Sequence, residues 1–221
     1  MTTTPPQPAV RPWRGVPPEI RRADRRTQLV EAAFEILGTE GWSAATVRGV
    51  CQAARLNPRY FYESFDSLEA LFIAVFDGLM LEVTDEAQEA VAAAGPLPSD
   101  RALAVIEAAV RYVTDDPRRA RILFVEALGS AEVGRRRLDT LHATAQFLAH
   151  NGWRQTSAAE DRIGLVAAHL LVGGLTQLVV TWLDGKLAVT LDELIDDTAA
   201  LMVAVGTEAV ATARARGPAL Q

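Results

Sequence analysis

Two helical patterns separated by only two residues constrain this chain more than any other feature. Val47, Val50, Cys51 and Ala54 recur at the spacing of one helix face, and Thr46 or Ser43 is available to cap that short helix. Asn57-Pro58 opens the next one, because asparagine is a favoured N-cap and proline suits the first helical position. Only Arg55 and Leu56 lie between them. Two short helices joined so tightly read as a helix-turn-helix, the element that presents its second helix to a DNA major groove.

The rest of the chain follows the same period. Val30, Ala33, Phe34 and Leu37 mark a helix from about Arg22 to Leu37, stopped by Gly38. Asp66-Ser67-Leu68-Glu69 reads as a capping box, with Leu68, Leu71, Phe72, Val75, Phe76 and Leu79 behind it and a break at Gly95-Pro96-Leu97-Pro98. Further helices are expected at about 100–115, 117–128, 131–151, 157–184 and 190–215, punctuated by Asp116-Pro117, Gly129, Asn151-Gly152 and Asp184-Gly185. No stretch alternates over strand length, so the expected fold is all-α with about nine helices. Three parts are expected: a Pro/Arg-rich disordered arm over 1–20, a three-helix DNA-binding domain over 21–66, and a helical ligand-binding and dimerisation domain over 67–221. With 221 residues and 49% hydrophobic content, the chain can fill such a core.

Charge divides along the same line. Residues 1–65 carry nine arginines against six carboxylates, and the remainder carries 13 basic against 22 acidic side chains. A cationic end joined to an acidic body fits local rather than indiscriminate contact with nucleic acid. On the helix after Asn57, Phe61 and Phe65 are four apart and should face the core. Arg59 and Glu63 then point away, with Tyr60 and Tyr62 on the flanks. Arg59 can donate twice to a guanine edge, Glu63 can accept from a cytosine amine, and tyrosine hydroxyls reach phosphates or base edges.

The runs Thr46-Val47-Arg48-Gly49-Val50-Cys51-Gln52-Ala53-Ala54, Asn57-Pro58-Arg59-Tyr60-Phe61-Tyr62-Glu63-Ser64-Phe65 and Glu69-Ala70-Leu71-Phe72 together resemble the signature of the TetR family of transcriptional regulators, over about residues 22–75. The resemblance implies that Thr46 caps its helix and touches phosphate, that Arg48 approaches the groove and that Tyr62 anchors to the DNA backbone. It also implies a repressor whose body binds an effector and moves the fourth helix. Two positions depart from the pattern. Arg55 stands where the family usually has glycine, so it must accept a left-handed backbone or the turn must differ, and it can reach a phosphate. Leu68 stands where a lysine is frequent, which removes one phosphate contact. Arg11, Arg14, Arg21, Arg22, Arg25 and Arg26 could compensate on phosphates or in the minor groove.

The helices at 157–184 and 190–215 are apolar on more sides than one small domain can cover. Leu194, Leu201, Val205 and Ala209 suggest a second apolar face, and Gly173-Gly174 permits close helix approach, so a homodimer through the last two helices is expected. A two-fold dimer matches double-stranded palindromic operator DNA with recognition helices roughly 34–36 Å apart.

Candidate lining residues for a small, largely apolar effector are Tyr112, Phe124, Phe147, Trp153 and Trp182, with His142 and His169 beside them. Gln146 and Gln177 also qualify, because an amide inside an apolar helix needs a partner: a ligand, a water or another subunit. The histidines His142, His150 and His169 show no ligand spacing along the chain, so no metal is expected, and no cofactor is implied. The single cysteine, Cys51, excludes an internal disulfide and a multi-cysteine zinc site, and reads as a packed thiol. The first 26 residues lack the apolar run of a secretory signal, which points to the cytoplasm. Ile163–Leu183 has the length of a membrane span, yet its polar residues and unmarked flanks argue for burial by protein. No nucleophile–base or paired-carboxylate set is evident, which leaves a helical enzyme or ligand carrier as the weaker alternative.

Overall fold

A computed structural model describes residues 17–152 and 162–216, and in them the chain is all-helical. The arm with Arg11 and Arg14, the start of the expected helix at 157, and Trp153 lie outside the described residues. Helix α1 (Pro18–Thr39) starts on a proline and buries Leu29, Ala32, Ala33 and Leu37. Residues 18–20, expected in the arm, are its first turn. A 3₁₀ turn at Trp42–Ala44, not anticipated from the sequence, leads to α2 (Val47–Ala53) and α3 (Pro58–Tyr62). Then come α4 (Leu68–Ala93), α5 (Pro98–Asp115), α6 (Pro117–Ala120), α7 (Ala131–Gly152), α8 (Arg162–Leu183) and α9 (Leu191–Arg216).

Caps explain most of these boundaries. Thr46 Oγ1 accepts from the Gly49 amide at 3.0 Å, Asn57 Oδ1 from the Arg59 amide at 2.9 Å, and Ser67 Oγ from the Ala70 amide at 3.0 Å. The cap of α4 is therefore Ser67 rather than Asp66, so the expected box with Glu69 does not form. The expected single helix over 117–128 is likewise broken. After α6 the backbone widens into a π turn at Arg121–Val125 and tightens into a 3₁₀ turn at Glu126–Leu128.

One continuous hydrophobic core runs from α1 to α9. It joins Leu29, Leu37, Val50, Phe61 and Phe65 to Phe72, Phe76, Ile106, Val110 and Ile122, and reaches Ile195 and Ala199. Trp42 stacks on Phe72 with ring centroids 5.3 Å apart, tying the 3₁₀ turn to α4. A smaller cluster of Ala145, Ala149 and Ala168 packs α7 against α8. The apolar positions expected on one face of α9 fall on two: Leu194 and Ala209 are buried in their own chain, whereas Leu201 points outward.

Candidate nucleic-acid interface

The turn between α2 and α3 is a Schellman motif. The Leu56 amide donates to the Cys51 carbonyl at 2.9 Å and the Arg55 amide to that of Gln52 at 3.1 Å. That pattern demands a left-handed residue at the position Arg55 occupies, and Arg55 has φ 55°. It is the one non-glycine residue with positive φ among the described residues. The bonds of the turn outweigh the local steric cost, so the backbone keeps a glycine-like turn and carries an exposed guanidinium at its tip.

Phe61 and Phe65 face inward as the spacing predicts, and both are buried. Cys51 is buried beside them, and burial pushes its thiol up from the ordinary range, as expected of a packed group. On the outer side Arg59 is 83% and Tyr62 63% exposed, with Thr46, Arg48 and Asn57 also in solvent. The flanking residues behave differently from one another. Tyr60 is half-buried beneath the Arg25 guanidinium, 4.4 Å from its ring centroid. The Glu63 carboxylate is held by Arg59 at 3.1 Å and Arg25 at 3.5 Å, while Arg22 donates to the Glu63 carbonyl. These two residues thus fix α3 to α1, and the α1 arginines that hold them stand beside α3.

The helix-turn-helix is fastened to the body by charge as well as by core. Gly41, at φ 90°, brings the chain end of α1 against Arg121 and Glu126, where a Cβ would meet the Glu126 carboxylate at 2.8 Å. Glu126 Oε2 accepts from the Trp42 amide at 2.7 Å, its Oε1 accepts from Arg121 at 2.9 Å, and Arg121 donates to the Thr39 carbonyl at 2.6 Å. Arg118 pairs with Glu35 at 2.6 Å and with Asp116 at 2.6 Å. Arg121 and Glu126 come from the irregular turn after α6, and Arg118 from α6 itself. Sequence reasoning missed them because nothing in their local spacing marks a bond across more than eighty residues.

The candidate effector residues do not gather into one place. Tyr112 is buried, donates to the Glu82 carboxylate and lines an open depression of about 450 Å³ between α4 and α5. Burial and that carboxylate hold its phenol well above the ordinary range. Charged side chains ring the depression: Glu82, Asp85, Glu86, Asp115, Arg111 and Arg119. Phe124 packs against the main core. Gln146 is exposed and Phe147 is 57% exposed on α7. Gln177 is exposed on α8, its amide donating to Thr181. In a single chain neither glutamine is a buried amide in need of a ligand, which corrects that expectation. Trp182 is structural: its indole N–H donates to the Val189 carbonyl at 2.9 Å and closes the turn between α8 and α9. His142 and His169 meet each other across α7 and α8.

Residues 29–75 match the model of the bacterial regulatory proteins of the tetR family. Over 157 residues the chain is 32% identical to the HTH-type transcriptional regulator BetI of Rhizobium meliloti (strain 1021), covering 67% of this chain and 75% of that protein. The chain belongs to the TetR family. It is accordingly a DNA-binding transcriptional regulator, and its relatives are regulators rather than enzymes. The fold of this TetR-family regulator extends the likeness beyond the matched segment. A putative TetR-family transcriptional regulator from Syntrophomonas wolfei str. Goettingen superposes with a TM-score of 0.70 at 13% identity, over 84% of this chain and 96% of that one. The transcriptional regulator FadR from Bacillus subtilis, solved in complex with stearoyl-CoA, gives 0.59 at 16% identity over 83% and 97%.

Proposed function

We propose that this regulator is a repressor that occupies a palindromic operator as a homodimer and is released by a small, largely apolar effector. The observation that carries the DNA half is the outward face of the helix-turn-helix. Arg59 and Tyr62 project from α3, Thr46 and Arg48 from the start of α2, and Arg55 and Asn57 from the turn, while Phe61 and Phe65 lock the unit to the core. Arg59 and Arg48 read base edges, and Thr46, Arg55 and Tyr62 hold phosphates. Asn57 opens α3 at the groove, and Tyr60 and Glu63 set the angle of α3 from behind. Residues 21–66 form the reading unit and 67–221 the body, with the basic arm adding phosphate contacts.

Dimerisation is supported by what α8 leaves outside. By length and composition α8 is apolar enough to cross a membrane, yet little of it is buried in the single chain. Its outward stripe of Val166, Leu170, Gly173, Gly174 and Gln177 is exposed, as is Leu201 of α9. A Cβ at Gly173 or Gly174 would meet nothing of the chain's own, so the room those glycines leave serves a second copy. This partner, rather than lipid, covers the stripe of a protein that works in the cytoplasm beside its DNA. For release, the effector must bind the DNA-free arrangement better than the DNA-bound one. The Arg121–Glu126 fastening gives the body a direct hold on α1. FadR of Bacillus subtilis, which shares the fold, holds stearoyl-CoA, and an acyl-type ligand is the chemistry expected here.

Footprinting of DNA upstream of the protein's own gene tests the reading. A protected palindrome is expected, weakened by Arg59→Ala or Tyr62→Ala in a chain that remains dimeric. Unchanged affinity of both variants for a confirmed operator would show that α3 is turned another way, and Leu170→Glu with Leu201→Glu should yield a monomer.

A further inference from the structure

The two histidines that chain spacing keeps 27 residues apart are brought together by the packing of α7 on α8, and the operator-facing surface does not use them. His142 Nδ1 lies 2.9 Å from His169 Nε2, with ring centroids 5.1 Å apart and the rings tilted by 38°. His169 Nδ1 lies 2.8 Å from the Leu165 carbonyl oxygen. A carbonyl only accepts, so Nδ1 of His169 carries the proton and, in the neutral ring, Nε2 presents its lone pair to His142. Fixing one ring nitrogen on a backbone carbonyl so that the other is aimed outward is how a metal-ligating imidazole is oriented.

The helices that carry the rings are held close by small residues. Ala145 and Ala149 of α7 and Ala168 of α8 are buried against one another, one to two turns from His142 and immediately beside His169. Both rings are exposed in the single chain, at the edge of the α8 stripe, where an ion and its waters can reach them. Among the described residues no third His, Cys, Asp or Glu joins the pair, which leaves the remaining coordination positions to water.

We propose that His142 and His169 form a two-imidazole site for a first-row divalent transition ion of the zinc class, clamping α7 to α8. Two nitrogens bound tetrahedrally to zinc at about 2.0–2.1 Å stand roughly 3.3–3.4 Å apart, so the present separation must open by only about 0.4–0.5 Å. Exposed rings allow that by small side-chain rotation. On coordination the proton between the rings leaves His142 Nδ1 while solvent protonates its Nε2, so the ring stays neutral and no net proton is released. His142 then binds through Nδ1 and His169 through Nε2. Imidazole ligands select zinc, nickel or copper over magnesium or calcium.

Zinc titration of the full-length, untagged chain against a chromophoric chelator tests the site, with Mg²⁺ as the contrast ion. One saturable Zn²⁺ per chain is expected, with affinity falling at least about tenfold in His142→Gln and in His169→Gln. His150→Gln, altered on the exposed end of α7, should bind as the parent does. Nitrogen NMR of the imidazoles should show Nδ1 of His142 and Nε2 of His169 shifting with zinc. Circular dichroism confirms that each variant is folded. Absence of saturable zinc binding, or binding indifferent to both substitutions, would overturn the proposal, as would coordination through the opposite nitrogens.

Discussion

Replacing Arg55 separates two effects that act in opposite directions. Its backbone sits at φ 55° because the Schellman bonds to Gln52 and Cys51 require it. A residue with a Cβ is penalised there by about 1–2 kcal/mol. Glycine escapes that penalty but gives up about 0.5–1 kcal/mol through its freer unfolded chain. Arg55→Gly should therefore stabilise each chain by about 0.5–1 kcal/mol, or roughly 1–4 °C in Tm for a protein of this size. Arg55→Ala keeps the Cβ and loses only the guanidinium, so its stability should match the parent.

On DNA both variants should lose. If Arg55 neutralises one phosphate per subunit, a dimer on its operator loses two contacts, and the plot of log affinity against log salt should flatten by about 1.8 in either variant. Denaturant melts at fixed protein concentration and operator titrations at several salt concentrations give the two numbers. A glycine variant less stable than the alanine variant would refute the backbone argument. An unchanged salt slope in both would refute the phosphate contact.

Three further outcomes follow from side chains already described. Glu126→Ala strands the Trp42 amide and unpairs Arg121 at a carboxylate only 13% exposed, so a destabilisation of about 2–3 kcal/mol is expected in denaturant melts, together with a weaker effect of effector on operator affinity. Asp116 is held below the usual carboxylate range, first by its hydrogen bonds from Arg118. A depressed carboxylate stabilises the fold above its unfolded value and loses that contribution as the pH falls through its folded one, so Asp116→Asn should flatten the loss of stability below about pH 4 in acid titrations. Tyr112→Phe removes the donor to Glu82 and should cost about 1 kcal/mol without disturbing the helices, as read by circular dichroism during melting.

What the sequence revealed was local, and what it concealed was not. Caps and apolar spacing act within a few residues, so Thr46, Asn57, Phe61 and Phe65 could be placed before any coordinates. The left-handed Arg55 was foreseeable as one of two alternatives, because a two-residue link leaves the turn few conformations. The broken helix after Pro117 was not, since its apolar spacing is continuous and its irregularity accompanies bonds from Arg121 and Glu126 to the end of α1. Gln146 and Gln177 misled for a related reason: periodicity identifies an apolar helix but not which side its own chain leaves uncovered. His142 and His169 became neighbours only through the packing of α7 on α8, which no spacing along either helix encodes.

The shared core also bears on how new DNA specificities can arise in such a protein. Exchanging the reading helices for those of another regulator by a cut near residue 66 would sever Phe61 and Phe65 from Phe72 and Phe76, and would present an unfamiliar chain end to Glu126. Transplants should succeed when they carry only exposed positions such as Arg48, Arg59 and Tyr62, leaving Trp42, Gly41 and the arginines of α1 in place. Specificity in this molecule is thus freer to drift by surface substitution than by recombination of whole segments.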